Sequence, residues 1–147
     1  MPAGQWNLHD DAIYKIGSNE VDLANDAIEA RLYTSTSNVT DLTVGDATTL
    51  TGELSGNGYT AQSITSTWTQ NGAQSEFSTD EPVFSPNGGD LTAQLVALID
   101  TTHTPHLVIA HAYLSLISDS PVDVTIQDGL PLRVKVPTAV FTLGRAA

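Results

Sequence analysis

The sequence predicts a single all-β domain, an antiparallel β-sandwich or jelly roll, with one short helix near its start. Thr and Ser account for 31 of the 147 residues, and β-branched Thr favours strands whereas Ser favours turns. Apolar and polar residues alternate over many short stretches, which is the two-residue period of a half-buried strand. Glycine-containing turns separate these stretches at short intervals, as is typical of all-β sandwiches.

Composition and charge restrict the classes of protein to consider. Residues 1–147 are enough for one domain with a real core, and 40% of them are apolar. The net charge of −12 repels phosphates and anionic lipids, so we expect neither nucleic acid nor membrane as a partner. The absence of Cys excludes disulfides and thiolate chemistry. The first residues match no secretion signal, which predicts synthesis in the cytoplasm of the producing cell.

The few basic residues are unevenly placed. Arg133, Lys135 and Arg145 all lie in the last 15 residues, a stretch that contains no acid. This stretch is either a docking surface for an acidic partner or a strand whose bases face acids across a hairpin.

A helical pattern occurs at residues 7–17. Leu8, Ala12 and Ile16 recur at helical spacing, Asn7 is a suitable N-cap, and Gly17 a suitable end. The period then changes to two in "AIEARLYT", where Ile28, Ala30 and Leu32 share one face of a predicted strand. Residues 35–58 are rich in Ser, Thr, Asn, Asp and Gly, and they predict a long surface loop.

The next predicted strands are joined by tight turns. "GNGYTAQSITSTWTQNG" reads as a polar strand that ends in a hairpin at Asn71-Gly72. "LTAQLVALID" and "HLVIAHAYLSLIS" predict a central antiparallel pair, connected by "TTHTP". In the second of these, strict alternation places apolar side chains on both faces, so it is buried on both sides or covered by a partner chain. The two predicted faces are Leu107, Ile109, Tyr113 and Ile117 on one side and Val108, Ala110, Leu114 and Leu116 on the other. A final hairpin is predicted from residues 122–127 to residues 132–136 through "DGLP".

Three histidines and a carboxylate follow one another at the central turn. His103, His106 and His111 come shortly after Asp100. Along an extended strand, His106 and His111 would lie about 17 Å apart and point to opposite faces, which argues against a shared metal. We expect two turn histidines and one strand histidine at a core edge or a subunit contact. The sequence therefore predicts no metal ligand, no cofactor and no catalytic residue.

The acidic and aromatic residues give no further site. The pairs Asp10-Asp11 and Asp80-Glu81 are typical of solvated surfaces. The oxygen-rich loops "DLAND" (Asp22 to Asp26) and "NGGD" are compatible with calcium, although neither fits the EF-hand pattern. Trp6 and Trp68 are more typical of a core than of a platform for sugars or bases.

Several motifs, taken in order, carry a likeness to a known family. They are "MPAGQW", the short helix ending at Gly17, "AIEARLYTSTSNV", "GNGYTAQSITSTWT" and "PVFSPNGGDLTAQLVALI". Together they resemble small virion structural proteins of tailed bacteriophages. The resemblance implies a β-rich subunit without catalytic residues. Within a virion we favour the role of a capsid decoration (cement) protein, because the acidic surface suits an outward position, away from packaged DNA. Such a protein binds the major capsid protein on the outer surface of the head as a homo-oligomer, commonly a trimer.

Two surfaces are predicted to make the contacts of such a subunit. One is the double-faced apolar strand near Ile109, and the other is the Thr/Ser strand that carries Tyr59 and Trp68. Two alternatives stay open. The first is a tail, tail-tip or fibre subunit that contacts the host. The second is a small sugar-binding or hydrolytic module that uses the acidic loops.

Overall fold

A computed structural model describes residues 4–135 and 139–144, and these residues form several antiparallel sheets with one α-helix. The all-β prediction is therefore confirmed, whereas the sandwich or jelly-roll topology stays a prediction. The helix α1 is Asp10–Gly17. The described strands are β1 (Asn7–Leu8), β2 (Ile28–Tyr33), β3 (Gln62–Ile64), β4 (Ser66–Asn71), β5 (Gln74–Thr79), β6 (Val83–Phe84), β7 (Leu91–Ala93), β8 (Leu95–Asp100), β9 (Leu107–Tyr113), β10 (Leu116–Ile117), β11 (Ser120–Pro121), β12 (Val124–Ile126), β13 (Leu132–Arg133) and β14 (Phe141–Gly144).

The helix is shorter at its start than predicted. Asn7 and Leu8 pair with β9 as an edge strand, so they cannot enter the helix. His9 takes the N-cap position in an extended conformation instead of Asn7. The helix ends at Gly17 as predicted, and the Ser18 N–H donates to the Tyr14 carbonyl to close its last turn.

A five-stranded antiparallel sheet in the order β1-β9-β8-β2-β3 forms the centre of the molecule. The predicted pairing of β8 with β9 is confirmed, with Leu95 opposite Tyr113 at one end. Both faces of the sheet are covered. One face carries the main core, and the other carries a smaller apolar cluster that includes Tyr33, Val39 and Val108.

The segment predicted as a surface loop, residues 35–58, covers that second face. It contains two short 3-10 helices, Asn38–Thr40 and Ala47–Thr49, and it bridges to the sheet at Asp46 and Leu107. Val39 is fully buried by this packing. Polar side chains of the segment accept hydrogen bonds from its own backbone N–H groups at the starts of the two 3-10 helices. The few apolar residues of the segment are therefore available to pack against the sheet.

A β-bulge interrupts the pairing of β8 with β9. Leu98 is opposite Ala110 while Ile99 is opposite Val108, so Ile109 is the extra residue. A bulge breaks the alternation of faces. Ile109 and Ala110 consequently both join the main core, whereas Tyr113 packs against the second cluster. The predicted division of β9 into two strictly alternating faces is wrong for this reason.

The polar stretch "GNGYTAQSITSTWTQNG" divides between two sheets. β3 joins the five-stranded sheet, and after Thr65 the chain enters β4, which belongs to a three-stranded sheet in the order β14-β5-β4. The predicted hairpin is confirmed: Asn71 pairs with Gln74 across a turn in which Gly72 has a φ of 63°. Such a φ favours glycine because in other residues the Cβ atom is crowded by the directly adjacent backbone.

The predicted final hairpin is wrong. β12 pairs with β7, so that Val124 lies opposite Ala93, and β13 pairs with β6, so that Leu132 lies opposite Phe84. Both strands thereby bury their apolar side chains against earlier strands rather than against each other. Arg133 accordingly pairs with Glu81 on the approach to β6, at 3.6 Å. Residues 136–138 and Arg145 lie outside the described residues.

Candidate functional site

The predicted histidines do not converge. His103 donates from Nδ1 to the Pro105 carbonyl at 2.8 Å, and His106 contacts Arg31 at 3.4 Å. Both line a shallow depression of about 110 Å³ together with Asp11, Lys15 and Asp46. Within residues 4–135 and 139–144, no three His, Asp or Glu side chains come close enough together to hold a metal ion.

His111 instead forms a buried pair with His9, a residue that the sequence analysis did not single out. The ring nitrogens His9 Nε2 and His111 Nδ1 are 2.9 Å apart, and both side chains are almost fully buried. His9 Nδ1 lies 2.7 Å from the Val44 carbonyl oxygen, which can only accept. His9 therefore donates from Nδ1 and accepts at Nε2, so His111 must donate from Nδ1.

The bulge determines the face of the sheet on which His111 lies, so its position could not be predicted from spacing along the chain. His111 shares a face with Tyr113, two residues further along the strand, and Tyr113 packs against the second cluster. His106 contacts Arg31, which is two residues before Tyr33 in β2 and therefore lies on the same face of the sheet. The prediction that His106 and His111 point to opposite faces is therefore wrong.

Burial controls the protonation of this histidine pair. Desolvation, and to a smaller extent the neighbouring His9 ring, lower the pKa of His111 to about 4. Desolvation also lowers the pKa of His9, although the Val44 carbonyl and the carboxylates of Asp10 and Asp41 oppose this shift. At neutral pH both rings are uncharged, and they tie the start of α1 to β9 and to the segment that covers the sheet.

Most of the predicted acidic loops have structural roles. Asp10 and Asp11 lie in the first turn of α1, where negative charge favours the helix dipole. Asp80 accepts a hydrogen bond from the Thr65 N–H at 2.9 Å, and Asp90 accepts one from the Asp128 N–H at 2.8 Å. Asp22 accepts bonds from the N–H groups of the next residues in its own turn.

The two predicted contact surfaces differ in how much of their side chains is exposed to solvent. Ile109 is fully buried inside this chain and offers nothing to a partner, so that part of the prediction is wrong. Tyr59 is held within the fold, because its hydroxyl donates to Glu53 at 2.9 Å and accepts from the Leu32 N–H at 3.0 Å. Trp6 is a core residue, as predicted. Trp68 is only half-buried and packs on Phe141, with ring centroids 5.9 Å apart.

Trp68 lies at one end of an exposed apolar depression between the helix and the three-stranded sheet. We call this depression the α1–β14 groove; it is lined by Leu8, Ile13, Ile16, Trp68, Phe141 and Leu143. It consists of two adjoining hollows of about 260 and 250 Å³, which share Ile16 and Leu143 in their walls. Ile13 is 54% exposed and Leu143 is 61% exposed, so the groove presents apolar surface directly to solvent.

The charged residue in the walls of the groove is acidic. Asp22 lines one of its hollows, whereas Asp11 and Lys15 line the separate depression that also contains His103 and His106. Lys15 of α1 is paired with Glu20 at 3.1 Å, which offsets its charge. The groove is thus mainly apolar, with one acidic residue, Asp22, in its wall. Contiguous exposed apolar surface with a polar rim is typical of a protein–protein contact site.

The groove could not be predicted from the amino-acid sequence. Its walls come from β1, α1, β4 and β14, and only the paired order of the sheets brings these elements together. The sequence contains one indication of the groove. Ile13 lies beside the predicted apolar stripe of the helix, and in the structure this apolar side chain is outside the core and exposed.

The α-helix α1 has eight residues, and no helix among the described residues is long and apolar enough to cross a bilayer.

Comparison of the chain with protein-family models, with curated proteins and with solved structures finds no match.

Proposed function

We propose that this protein is a structural subunit of a tailed-bacteriophage virion, which decorates the assembled head by binding the major capsid protein. The observation that supports this proposal best is the α1–β14 groove, because it offers apolar surface for adhesion to a neighbour. The motif order described above supplies the virion context. Binding through a preformed surface requires no reacting group.

The groove also indicates the chemistry of its partner. An apolar side chain of the capsid protein would fill the space between Ile13 and Leu143, and full burial of one such side chain contributes about 1.5 to 3 kcal/mol. The acidic surroundings favour a partner with Lys or Arg around that apolar side chain. A second copy of this chain, also with a charge of −12, is disfavoured at the groove by repulsion. Oligomer contacts, including those of a trimer, would use other surfaces.

The stabilising effect on the head would follow from mass action. A protein that binds only the assembled lattice lowers the free energy of that lattice by an amount that grows with its concentration. Many copies would bind equivalent positions, so even a modest affinity at each groove would strengthen the whole shell.

The proposal is tested by binding of the purified protein to expanded, undecorated capsids. Leu143→Asp places a charge in the groove, and we expect it to weaken capsid binding about 10- to 100-fold, the loss of one buried leucine. The readout is the number of copies that sediment with capsids over a concentration series. Ile117→Asp is the matched control, because Ile117 is 64% exposed, similar to Leu143, but lies in the β10–β11 hairpin away from the groove walls.

Two outcomes would contradict the proposal. Failure of the unmodified protein to bind capsids, combined with binding to purified tails or to host cells, would support a tail or fibre subunit. Equal losses from Leu143→Asp and Ile117→Asp would show that the groove is not the contact surface.

A further inference from the structure

The strand β4 lies at one edge of the three-stranded sheet, next to β5 and on the side away from β14. It has six residues, and every other edge strand in the described part of the chain has between two and four. Its pairing with β5 runs without a bulge from Ser66 opposite Thr79 to Asn71 opposite Gln74. One side of this strand is therefore fully paired, and the other side, which we call the β4 edge, is paired with no strand among the described residues.

The antiparallel ladder determines which backbone groups point towards the β4 edge. The Thr65 carbonyl accepts from the Asp80 N–H at 3.0 Å, so this position is bonded to the neighbouring chain segment. Bonded and non-bonded positions alternate along such a ladder. Every second residue after Thr65 is thus bonded to β5, and the residues between them are Ser66, Trp68 and Gln70. The N–H and carbonyl groups of these three residues have no backbone partner in residues 4–135 and 139–144.

The side chains of β4 leave the edge accessible. Ser66 Oγ donates to the Leu23 carbonyl at 3.1 Å, which places the Ser66 and Trp68 side chains on the interior face of the sheet. Thr67 and Thr69 lie on the opposite face and are exposed. The last residues of β4 are exposed on both faces, so nothing covers this end of the strand.

No charge or edge-protecting residue prevents another strand from pairing here. The sequence of β4, "STWTQN", contains neither Lys nor Pro nor an acid, and open edges are usually protected by Lys, Pro or a bulge. Glu76, opposite Thr69 in β5, is one strand away from the edge. In two sheets joined at the β4 edge, the two Glu76 positions would be about 14 Å apart, which exceeds the screening length of about 8 Å in physiological salt. A second copy can therefore approach this edge despite the net charge of −12.

The sequence of β4 is also symmetric about Trp68. Thr67 and Thr69 flank it, and Ser66 and Gln70, both uncharged and able to form hydrogen bonds, lie one position further out. A two-fold axis brings the same surface of two copies together, so a symmetric strand is complementary to itself. With Trp68 on the axis, all three unpaired backbone positions meet a counterpart, and any other two-fold register leaves at least one of them without a partner. Thr67 then lies opposite Thr69 of the second copy, and Thr–Thr and aromatic pairs stabilise antiparallel strands.

We propose that β4 pairs with β4 of a second copy of this chain, in antiparallel orientation and with Trp68 on the two-fold axis. The two three-stranded sheets then form one continuous six-stranded sheet. A single strand pair buries less than the roughly 800 Å² per partner of a standard interface, so the dimer is weak in dilute solution. The Trp68 side chain also borders the α1–β14 groove, whereas Leu143 lies on the far side of β5 and stays free. The dimer does not depend on the proposed binding to capsids.

Sedimentation equilibrium of the purified protein tests this contact, in about 0.15 M salt to screen the acidic surface. We expect a reversible equilibrium between monomer and dimer in the millimolar concentration range. Thr67→Lys combined with Thr69→Lys places like charges opposite each other at both symmetric positions, and we expect the dissociation constant of the dimer to rise about tenfold. The added lysines make the net charge of −12 less negative, so general repulsion would change in the opposite direction.

Thr67→Lys combined with Thr69→Glu is the matched variant. It places opposite charges across the axis at the same two exposed positions, and we expect a dissociation constant within about threefold of the unmodified value, or below it. Leu143→Asp should leave the dimer unchanged, because Leu143 is separated from the β4 edge by β5. Circular dichroism of each variant checks that the monomer is folded.

Each outcome decides the proposal. Loss of the dimer with two lysines and its recovery with lysine and glutamate support both the contact and its register. Loss in both double variants would overturn the pairing about Trp68. Absence of a dimer of the unmodified protein at millimolar concentration would overturn the proposal, and so would equal association of all variants. Loss caused by Leu143→Asp alone would place self-association in the α1–β14 groove instead. No capsid is present in these measurements, so their outcome is separate from that of the capsid-binding test.

Discussion

The five-stranded sheet and the three-stranded sheet of this protein are built from opposite kinds of sequence. In β8 every residue is buried, whereas in β4 only alternate residues are partly buried and the rest are exposed. The first sheet is covered on both faces, by the main core and by residues 35–58. The second sheet leaves the edge that carries Leu143 in contact with solvent.

This difference separates two tasks. A sheet buried on both faces holds the fold, because every change of volume in it leaves a cavity or causes a clash. A sheet with one exposed face can present polar and apolar groups to a neighbour without weakening the core. The α1–β14 groove lies where the second sheet meets the helix, so the surface proposed for binding belongs to the less buried part of the molecule.

The largest expected effect comes from shortening a core residue of the first sheet. Ile109→Ala removes three methyl or methylene carbons from a fully buried position in the main core, and we expect it to reduce the free energy of unfolding by about 2 to 5 kcal/mol. Urea unfolding monitored by circular dichroism measures this change.

The matched substitution in the second sheet is Leu143→Ala. Because Leu143 is 61% exposed, we expect the free energy of unfolding to change by less than about 0.5 kcal/mol. Similar losses from the two substitutions would show that the sheets do not differ in the way described above.

The second effect concerns pH. The pKa of His111 is lowered to about 4 in the folded protein, so the unfolded chain binds more protons between pH 6.5 and 4. Stability conferred by the neutral pair is therefore complete above pH 6.5 and is lost as the pH falls towards 4, by up to about 3 kcal/mol. His111→Asn keeps a donor near the position of Nδ1 but does not titrate, so it should lose less stability in acid than the unmodified protein.

The measurement is a series of urea titrations from pH 7.5 to pH 4.5. Only the difference between variant and unmodified protein is informative, because burial raises the pKa of Asp100 to about 6 and acts in the opposite direction over part of this range. Asp10, Asp41 and Tyr113, which surround the histidine pair, are common to both proteins and cancel in the same difference. Parallel curves for the two proteins would exclude the histidine pair as the source of acid sensitivity.

The parts of the fold that were predictable have strong local signals. The pairing of β8 with β9 follows from two apolar runs joined by a short turn, and the β4–β5 hairpin follows from Asn71-Gly72. The partners of β12 and β13 were not predictable. The alternation of Val124 and Ile126 fits any apolar strand, and the choice of Ala93 and Leu91 as partners depends on packing that lies far away in sequence.

The candidate sites were less predictable than the fold, because each one joins distant residues. His9 and His111 are 102 positions apart, and a single-residue bulge at Ile109 decides which face His111 occupies. Asp26 was visible as part of an oxygen-rich turn, and Asp100 was visible as an acid beside histidines. The ladder between β2 and β8, where Ile28 lies opposite Asp100, brings the turn that contains Asp26 close to Asp100.

The third effect tests whether the second sheet can open independently of the first. Gly72 has a φ of 63° in the β4–β5 turn, and no atom lies within 4 Å of the Cβ that alanine would add. The cost of Gly72→Ala is therefore backbone strain alone, about 1 kcal/mol. Gly17→Ala is the matched control, since its added Cβ also meets nothing within 4 Å but the residue is helical, and we expect a gain of about 0.5 kcal/mol.

Hydrogen exchange locates where this cost is felt. If the second sheet opens on its own, Gly72→Ala should speed exchange at Trp68 and Phe77, which face each other in β4 and β5, about fivefold, the factor that corresponds to 1 kcal/mol. Exchange at Leu98, in the centre of β8, should then stay unchanged. Equal acceleration in both sheets would mean that they unfold as one unit. The two sheets would then differ only in how much of their surface is exposed to solvent. Acceleration confined to the second sheet would show that the surface proposed for binding can rearrange while the five-stranded sheet stays intact.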